Sequence, residues 1–432
     1  VISPETIALV KERADIVKVI GESVSLKRAG RVWKACCPFH KEKSPSFQVD
    51  AERGWFHCFG CGEKGNAIDF IMKQDGYTFP EAVRVLAEAS GITVDEDRQH
   101  HDRADADRQK KRRDDLYAAN HVAATWFQEK LRTHAQRSLA LGELARRGLS
   151  AEDEVVERFR LGFAPTGWDE LAMHLRAQAV SPVDAQTLGL LLPRRTGGGH
   201  YDRFRSRLMF PVLDVQGRVI GFSGRAVGPP DQSSKDPPPK YVNSSESTIY
   251  TKGLSLFGLH QARQTIRSEE MAVLVEGNFD VVSLHARGLT NVVAPLGTAF
   301  TSDQARALRR FTQTVTVLFD GDDAGKKATR AAREPCEAVG LTARVSVLPD
   351  GVDPDDFVRT RGPETLRDLV ASAKGMLEHF VETALDDSVG MPDVYLRAGR
   401  IEKIEELLLD EPLVGESTDA VVERLLRALD AR

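Results

Sequence analysis

No run of apolar side chains in this sequence approaches the roughly 20 residues needed to cross a bilayer, and the N-terminus lacks a basic-then-apolar leader pattern. Neither a membrane-spanning nor an exported chain is expected, so no membrane partner is assigned and the chain reads as cytoplasmic. Cysteine is scarce: there are five, and four of them (Cys36, Cys37, Cys58 and Cys61) fall in one short stretch, with Cys336 far away. In a chain without an export signal that clustering points to a metal site and not to disulfides. A large excess of one charge sign is also missing. The 59 basic and 64 acidic residues leave a net charge of −5, so any nucleic-acid-binding surface must be local. Internal repeats and low-complexity tracts are absent. What remains, 41% hydrophobic and 28% charged over 432 residues, is ordinary globular material. By size it should divide into about two to four compact units.

Hydrophobic periodicity gives the order of elements. Ile7, Val10, Ile16, Val17 and Ile20 mark a leading helix over 5–20 behind the cap Ser3 and Pro4. Short β-like pieces alternate with turns over 31–61, and helices are expected over 66–74 and 79–89. Residues 95–115 carry almost no apolar side chain and read as a linker or a solvated helix. The pattern from Leu116 to about Leu192 is helical, interrupted at 163–167, and turns β-like from His200 to Arg225. From 271 onward strands and helices alternate: strands 271–275, 291–295, 314–319 and 342–348, helices 279–287, 302–311 and 324–338. Continuous apolar strands of this kind belong to a parallel sheet covered on both faces. Beyond Gly375 the chain reads helical.

Two chemical sites stand out. Cys37-Pro-Phe-His40 and Cys58-Phe-Gly-Cys61 each set two ligands two residues apart, and together they make a tetrahedral Cys3His set for one structural Zn2+. Cys36 competes with Cys37 on sequence alone; the spacing to His40 favours Cys37. Lysines and aromatics around these ligands, including Trp33, Lys34, Phe39, Phe47, Trp55, Phe56, Phe59 and Lys64, suit single-stranded nucleic acid, although some of the rings must form the module's own core.

The second site is acidic. Glu276 and Asp280 follow the first strand of the α/β segment, Asp320 and Asp322 the third, and Asp350, Asp353 and Asp355 the fourth. Functional groups in parallel α/β sheets gather beyond the carboxyl ends of strands, so these groups should converge there. Their mutual repulsion then calls for Mg2+ or Mn2+, two ions or more. A lone aspartate at such a position is more often a helix cap. The series Glu-Gly, Asp-x-Asp and Asp-Pro-Asp makes that reading poor for the set, and metal-held carboxylates support phosphoryl or nucleotidyl transfer. Between Arg194 and Arg225 lie Arg194, Arg195, Arg203, Arg205, Arg207, Arg218 and Arg225 against only Asp202 and Asp214. Arg203, Arg205 and Arg207, at alternate positions, would share one face of a strand and track a phosphate backbone.

Glu276-Gly277 followed by Asp320-Gly-Asp322 resembles the TOPRIM fold. Tyr201-Asp-Arg-Phe-Arg-Ser-Arg207, Leu208-Met-Phe-Pro211, Gly221-Phe-Ser-Gly-Arg225, Lys240-Tyr-Val-Asn243 and Thr251-Lys-Gly253, with the Cys-Pro-Phe-His and Cys-Phe-Gly-Cys pairs, resemble bacterial DnaG-type DNA primases in order and spacing over roughly 1–370. Asn278-Phe279 and Ser245-Glu-Ser247 depart from that pattern without removing a charged functional group. The resemblance implies a template-directed RNA polymerase that makes short RNA primers from ribonucleoside triphosphates on single-stranded DNA during replication. Glu276, Asp320 and Asp322 would be catalytic, and Glu276, Asp280, Asp320, Asp322, Asp353 and Asp355 would hold the metals. Arg147, Arg225, Lys240, Tyr241, Asn243 and Lys252 would contact nucleotide or template.

The fold class is therefore multidomain: a zinc ribbon (small β with helices), an α+β subdomain, an α/β TOPRIM subdomain and C-terminal helices. The boundaries expected are 1–95 for the zinc-ribbon DNA-binding domain, 96–115 for a charged linker, 116–267 for a basic subdomain, 268–370 for the TOPRIM subdomain and 371–432 for a helical subdomain. Family members usually dock on the replicative helicase through a further C-terminal domain. Residues 393–432 supply too few residues for it, so that domain is expected to be absent. The rival reading is a TOPRIM nuclease or topoisomerase-like enzyme, against which the zinc module and Lys240-Tyr241 argue. A fused helicase is not expected, since Gly321-Asp-Asp-Ala-Gly325-Lys326 is one residue short of a phosphate loop. A non-catalytic zinc protein that only recognises DNA is a third class.

Overall fold

A computed structural model describes residues 2–94, 100–194, 196–228, 239–297, 299–349, 351–380 and 383. Of the sequence readings, the helical patterns within 393–432 and the position of Asp350 and Arg195 lie outside these. The chain forms two compact units, 1–119 with 215–218, and 120–214 with 219–432. Among the described residues no helix is long and apolar enough to cross a membrane.

The first unit is a five-stranded antiparallel sheet in simple sequential order, Lys27–Ala29, Val32–Ala35, Phe47–Asp50, Trp55–Cys58 and Lys64–Gly65. Alternation dictates which rings turn inward. Phe47 pairs with Cys58 and Val49 with Phe56, and all four are fully buried, while Gln48 and His57 point the other way. Phe47 stacks on Phe56 at 5.3 Å between ring centres, and Phe70, from the helix Ala67–Asp75, closes against Phe56 edge-on at 5.7 Å. Asn66 and Asp69 cap that helix reciprocally. The leading helix expected over 5–20 is two helices, Pro4–Arg13 and Ile16–Gly21. Asp15 separates them because its carboxylate accepts from the backbone N–H groups of Val17 and Lys18 and starts a new helix.

The second unit holds two larger sheets. One is antiparallel, in the order Tyr241–Asn243, Val219–Ala226, Arg207–Leu213, Gly162–Ala164. The strand Gly162–Ala164 interrupts a segment whose periodicity reads as helical. The other sheet has six strands ordered Leu256–Phe257, Val292–Pro295, Met271–Leu274, Thr314–Val317, Thr342–Val345 and Lys374–Gly375. Its four central strands are parallel and the two edges antiparallel. Val273, Leu274 and Val275 are successive residues with no exposed surface, so both faces of the sheet are covered. The helix expected over 324–338 is broken into Asp323–Ala331 and Arg333–Glu337. Pro335 supplies the reason: it has no N–H to give, and its ring collides with the carbonyl four residues back, Ala331.

Gly162 shows how tightly the second unit is packed: a Cβ there would fall 2.5 Å from Phe127 Cβ and 2.6 Å from its carbonyl carbon. Gly162→Ala is therefore expected to destabilise the protein by about 1–3 kcal/mol through overpacking, read as a lower denaturation midpoint. An unchanged midpoint would show that the helix His100–Thr133, which bears Phe127, yields freely.

Candidate functional site: a cysteine–histidine cluster and an acidic strand-end site

In the first unit the ligand atoms of Cys37, His40, Cys58 and Cys61 all lie within 4.8 Å of one another. Cys37 Sγ is 3.8 Å from Cys61 Sγ, and Cys58 Sγ is 3.8 Å from His40 Nδ1. A tetrahedron with metal–sulfur bonds of about 2.3 Å has edges of about 3.8 Å, so the four groups fit one metal ion. Cys37, the candidate favoured by spacing, has its sulfur in this cluster, whereas Cys36 is exposed and does not join it. Gly60 is required by close approach: a Cβ there would sit 2.7 Å from His40 Nε2 and 2.8 Å from Ser46 Oγ. Two residues without a sequence signal support the cluster. The Glu42 carboxylate accepts from the Cys37 N–H at 2.6 Å and lies 3.3 Å from His40 Nε2, while Ser46 Oγ is 3.2 Å from Cys58 Sγ. Of the flanking rings, Phe47 and Phe56 belong to the core, whereas Phe59 is 62% exposed beside His57, 4.3 Å between ring centres.

The acidic site grows from the order of the parallel sheet. The chain runs from Met271–Leu274 to its neighbour on one side, Val292–Pro295, then crosses to Thr314–Val317 on the other. Connections on either side of such a switch point diverge and leave a crevice at the carboxyl ends of the strands. Glu276 and Asp320 stand there, one beyond each adjacent strand, and Glu276 accepts the Asp320 backbone N–H at 3.2 Å. Asp322 is exposed and caps the helix Asp323–Ala331 through the Gly325 N–H at 2.8 Å; Asp353, half-buried, caps Pro354–Arg361 through the Asp356 N–H at 2.6 Å. The capping role thus holds for these two carboxylates and uses one oxygen of each. Gly321 and Gly325 allow the backbone to close in, since Cβ atoms there would lie 2.2 Å from the Pro349 carbonyl oxygen and 2.1 Å from that of Asp320.

Electrostatics show the strain of this convergence. Burial, then Asp353 and Asp320, push the Asp280 carboxyl up to about 8. Burial, then Glu276, Asp353 and Asp322, push Asp320 up to about 6 against a lowering contribution from Lys240. Glu276 is raised by burial and by Asp322. Asp320 Oδ1 is buried without a hydrogen-bond partner. Half-buried carboxylates that are destabilised by one another, with a lone pair unused, fit divalent metal binding.

Asp355 differs. It has no exposed surface and is ion-paired to Arg147 at 2.8 Å and Arg359 at 3.2 Å, with Arg287 at 3.8 Å. Among the described residues Asp353, Asp355 and Asp356 also form a cluster with ligand atoms within 4.8 Å. Ser283, Arg287 and Arg359 were not singled out by sequence, although Asp280, Ser283 and Arg287 share a helical face at offsets of three and seven.

Three basic residues are placed otherwise than alternation suggests. Ser206 has φ +50°, its N–H donating to the Pro165 carbonyl at 3.0 Å, so the extended run begins only at Arg207 and Arg203, Arg205 and Arg207 share no strand face. Arg207 is 5% exposed and donates to the Gly224 and Pro239 carbonyls, both at 3.0 Å. Arg203 donates to Ser245 and to the Asn243 carbonyl, while Arg205 lies over the Trp168 ring at 3.9 Å. Asp202 pins this segment: buried, its carboxylate accepts from the N–H groups of Leu171 and Ala172 at 2.8 and 2.9 Å. Arg225 pairs with the buried Glu143 at 2.7 Å and donates to Tyr241 Oη at 3.1 Å. Asn243 donates to the Leu296 carbonyl at 3.1 Å, and Lys252 opens the short turn Lys252–Leu254.

Comparison with known proteins agrees with this architecture. Residues 2–102 match the CHC2 zinc finger family, 126–263 the N-terminal domain of the DNA primase catalytic core and 273–358 the Toprim-like family. The DNA primase of Pseudomonas putida is 42% identical over 358 residues, 82% of this chain and 52% of that protein. The crystal structure of the Aquifex aeolicus primase zinc-binding and RNA polymerase domains superposes with a TM-score of 0.58 at 32% identity, covering 94% of this chain and 99% of that one. A DnaG primase catalytic domain bound to single-stranded DNA gives 0.61 at 35% identity over 74% of this chain and 99% of that one. The chain belongs to the bacterial DnaG-type DNA primase family, with a zinc ribbon followed by a TOPRIM-containing RNA polymerase domain. It spans about half the length of the curated relatives it matches.

Carboxyls raised in this way hold protons that a bound metal would have to displace. Because the protonated form gains below about 6 for Asp320 and below about 8 for Asp280, apparent Mn2+ affinity is expected to fall as the pH drops through that window. Calorimetry in two buffers of different ionisation enthalpy should register proton release at pH ~7 that vanishes near pH ~9. Release that does not change with pH would separate these groups from the metal.

Proposed function

We propose that this protein is a DNA primase: a nucleotidyltransferase that copies single-stranded DNA into short RNA primers from ribonucleoside triphosphates. The observation that carries the reading is the convergence of Glu276, Asp280, Asp320, Asp322 and Asp353 at the switch point of the TOPRIM sheet, with Lys240 near enough to offset part of the rise at Asp320. Asp320 and Asp322 are the leading ligands for two Mg2+ or Mn2+ ions, with Glu276 a further ligand or the acid/base and Asp280 and Asp353 around them. Bound there, the ions would align a 3′-hydroxyl with an α-phosphate and neutralise charge on the phosphates.

The remaining work falls to side chains of the chain itself. Lys240, Arg225, Tyr241, Asn243 and Lys252 hold the nucleotide's phosphates or the template. Arg225 is pre-oriented for this by Glu143 and Tyr241, which lowers the entropy lost on binding. Arg205, stacked on Trp168, and Arg203 offer cations to the template. In the zinc ribbon one structural Zn2+ held by Cys37, His40, Cys58 and Cys61 maintains a module with a small core, and exposed Phe59 with Lys34 and Lys64 engages the template at initiation. The solved relative bound to single-stranded DNA supports the template class. Such chemistry belongs in the cytoplasm beside the chromosome.

The test is synthesis from unprimed single-stranded DNA with labelled ribonucleotides and Mg2+ or Mn2+. Short RNA is expected from the intact protein, and Asp320→Asn and Asp322→Asn should each lower synthesis by about 100-fold or more while template binding, read by anisotropy, persists. Degradation of the DNA without RNA product would favour the nuclease reading.

The zinc module has its own outcome. Cys37→Ser, Cys58→Ser or Cys61→Ser should release zinc, measured by metal analysis, and impair initiation more than extension of a supplied primer; Cys36→Ser should keep the ion. Zinc retained in the Cys37 variant and lost from the Cys36 variant would reverse the ligand assignment.

A further inference from the structure

Six acidic residues surround the TOPRIM site, yet one of them is electrostatically unlike the rest. Asp355 sits wholly inside the protein with both oxygens engaged. Oδ2 accepts from Arg147 Nη1 at 2.8 Å and from Arg359 Nε at 3.2 Å; Oδ1 accepts from Ser283 Oγ and lies 3.8 Å from Arg287 Nη1. A carboxylate offers about four lone-pair directions, and three guanidinium groups with one hydroxyl occupy or face them all. A divalent cation approaching that oxygen pair would meet three positive charges, whereas Asp320 keeps an unpartnered buried oxygen.

The sequence explains why these groups meet. Asp280, Ser283 and Arg287 lie along one face of Asn278–Ala286 and its C-cap, so the helix that carries Asp280 in its first turn presents Ser283 and Arg287 further along. Asp355 and Arg359 are one turn apart on Pro354–Arg361. Arg287 also donates from Nη2 to the backbone carbonyl of Arg147 at 2.7 Å, fixing main chain as well as side chain. Arg147, held at both ends, lies over the Phe279 ring at 5.1 Å and reaches to 3.7 Å from Asp353.

We propose that Asp355 is a positioning residue and not a metal ligand: with Ser283, Arg287 and Arg359 it holds Arg147 at the edge of the acidic site, where the guanidinium receives the phosphates of the incoming nucleotide. This rests on the primase reading for the identity of the nucleotide. Removing one charged partner from a buried cluster leaves the others unbalanced, so Arg147 should lose its orientation when Asp355 or Ser283 is altered. The metal site, which uses other carboxylates, should keep its affinity.

The experiment compares the intact protein with Asp355→Asn, Ser283→Ala, Arg287→Lys and Asp320→Asn. Mn2+ affinity is read by electron paramagnetic resonance, and ATP affinity by calorimetry in saturating Mn2+. Asp355→Asn and Ser283→Ala should bind Mn2+ within about threefold of the intact protein and ATP at least about fivefold more weakly, while Asp320→Asn loses Mn2+. Ser283→Ala placed on Arg147→Ala should weaken ATP no further, an outcome that general loosening of the fold would not give. Loss of Mn2+ by Asp355→Asn or Ser283→Ala equal to that of Asp320→Asn overturns the proposal, as does unchanged ATP affinity in both Ser283→Ala and Arg287→Lys. If Asp355→Asn does not fold, those two variants decide alone. An intact protein that binds Mn2+ and ATP but makes no RNA removes the primase reading and leaves this comparison valid.

Discussion

Repulsion between carboxylates beyond two neighbouring parallel strands is the constraint on which the second unit is built. Glu276 and Asp320 are brought together by the strand order and by the hydrogen bond from the Asp320 backbone to Glu276. Neither can move apart without breaking the sheet register that pairs Leu274 with Val317. The surroundings answer that repulsion locally. Lys240 offsets part of the rise at Asp320, Arg147 faces Asp353 and Asp280, and the helix N-termini after Asp322 and Asp353 put backbone N–H groups against both. Divalent cations bound there would complete the balance.

The zinc ribbon meets the opposite difficulty, too little interior. Four rings, Phe39, Phe47, Phe56 and Phe70, make most of its aromatic centre, and the strands are only two to four residues long. An ion held by Cys37, His40, Cys58 and Cys61 would join the turn before the third strand to the turn after the fourth, as a disulfide framework would in an exported domain. Glu42 and Ser46 tie backbone and sulfur together around them.

How much of this was legible follows from which interactions are local. The four ligand positions, the strand-end acids and the elements of the parallel sheet rest on spacing and on continuous apolar runs, and the described strands start or end within a few residues of the expected bounds. Helix breaks at Asp15 and Pro335 were equally local but were outweighed by hydrophobic periodicity running through them. Arg203, Arg205 and Arg207 misled because alternation presumes an extended backbone, and one left-handed residue, Ser206, cancels it. Asp355 could not be told from its neighbours at all. Its distinction comes from Arg147, more than 200 positions away in the chain, and from burial, neither of which a short motif records.

Asp202 has a consequence of another kind. The hairpin formed by Leu191–Pro193 and His200–Asp202 projects through Gly197, Gly198 and Gly199, while its base is fastened by the Asp202 carboxylate on the helix Glu170–Ala177, by Arg203 N–H on the Leu190 carbonyl at 3.0 Å and by Ser206 on Pro165. Arg203 and Arg205 therefore stand at the fastened foot of the hairpin, where Arg205 also lies over the Tyr201 ring at 5.4 Å, and the exposed glycines lie at the far end of its strands. A change of length at those glycines would alter what the hairpin reaches while the foot keeps its own hydrogen bonds, which gives the fold a place to diversify its surface.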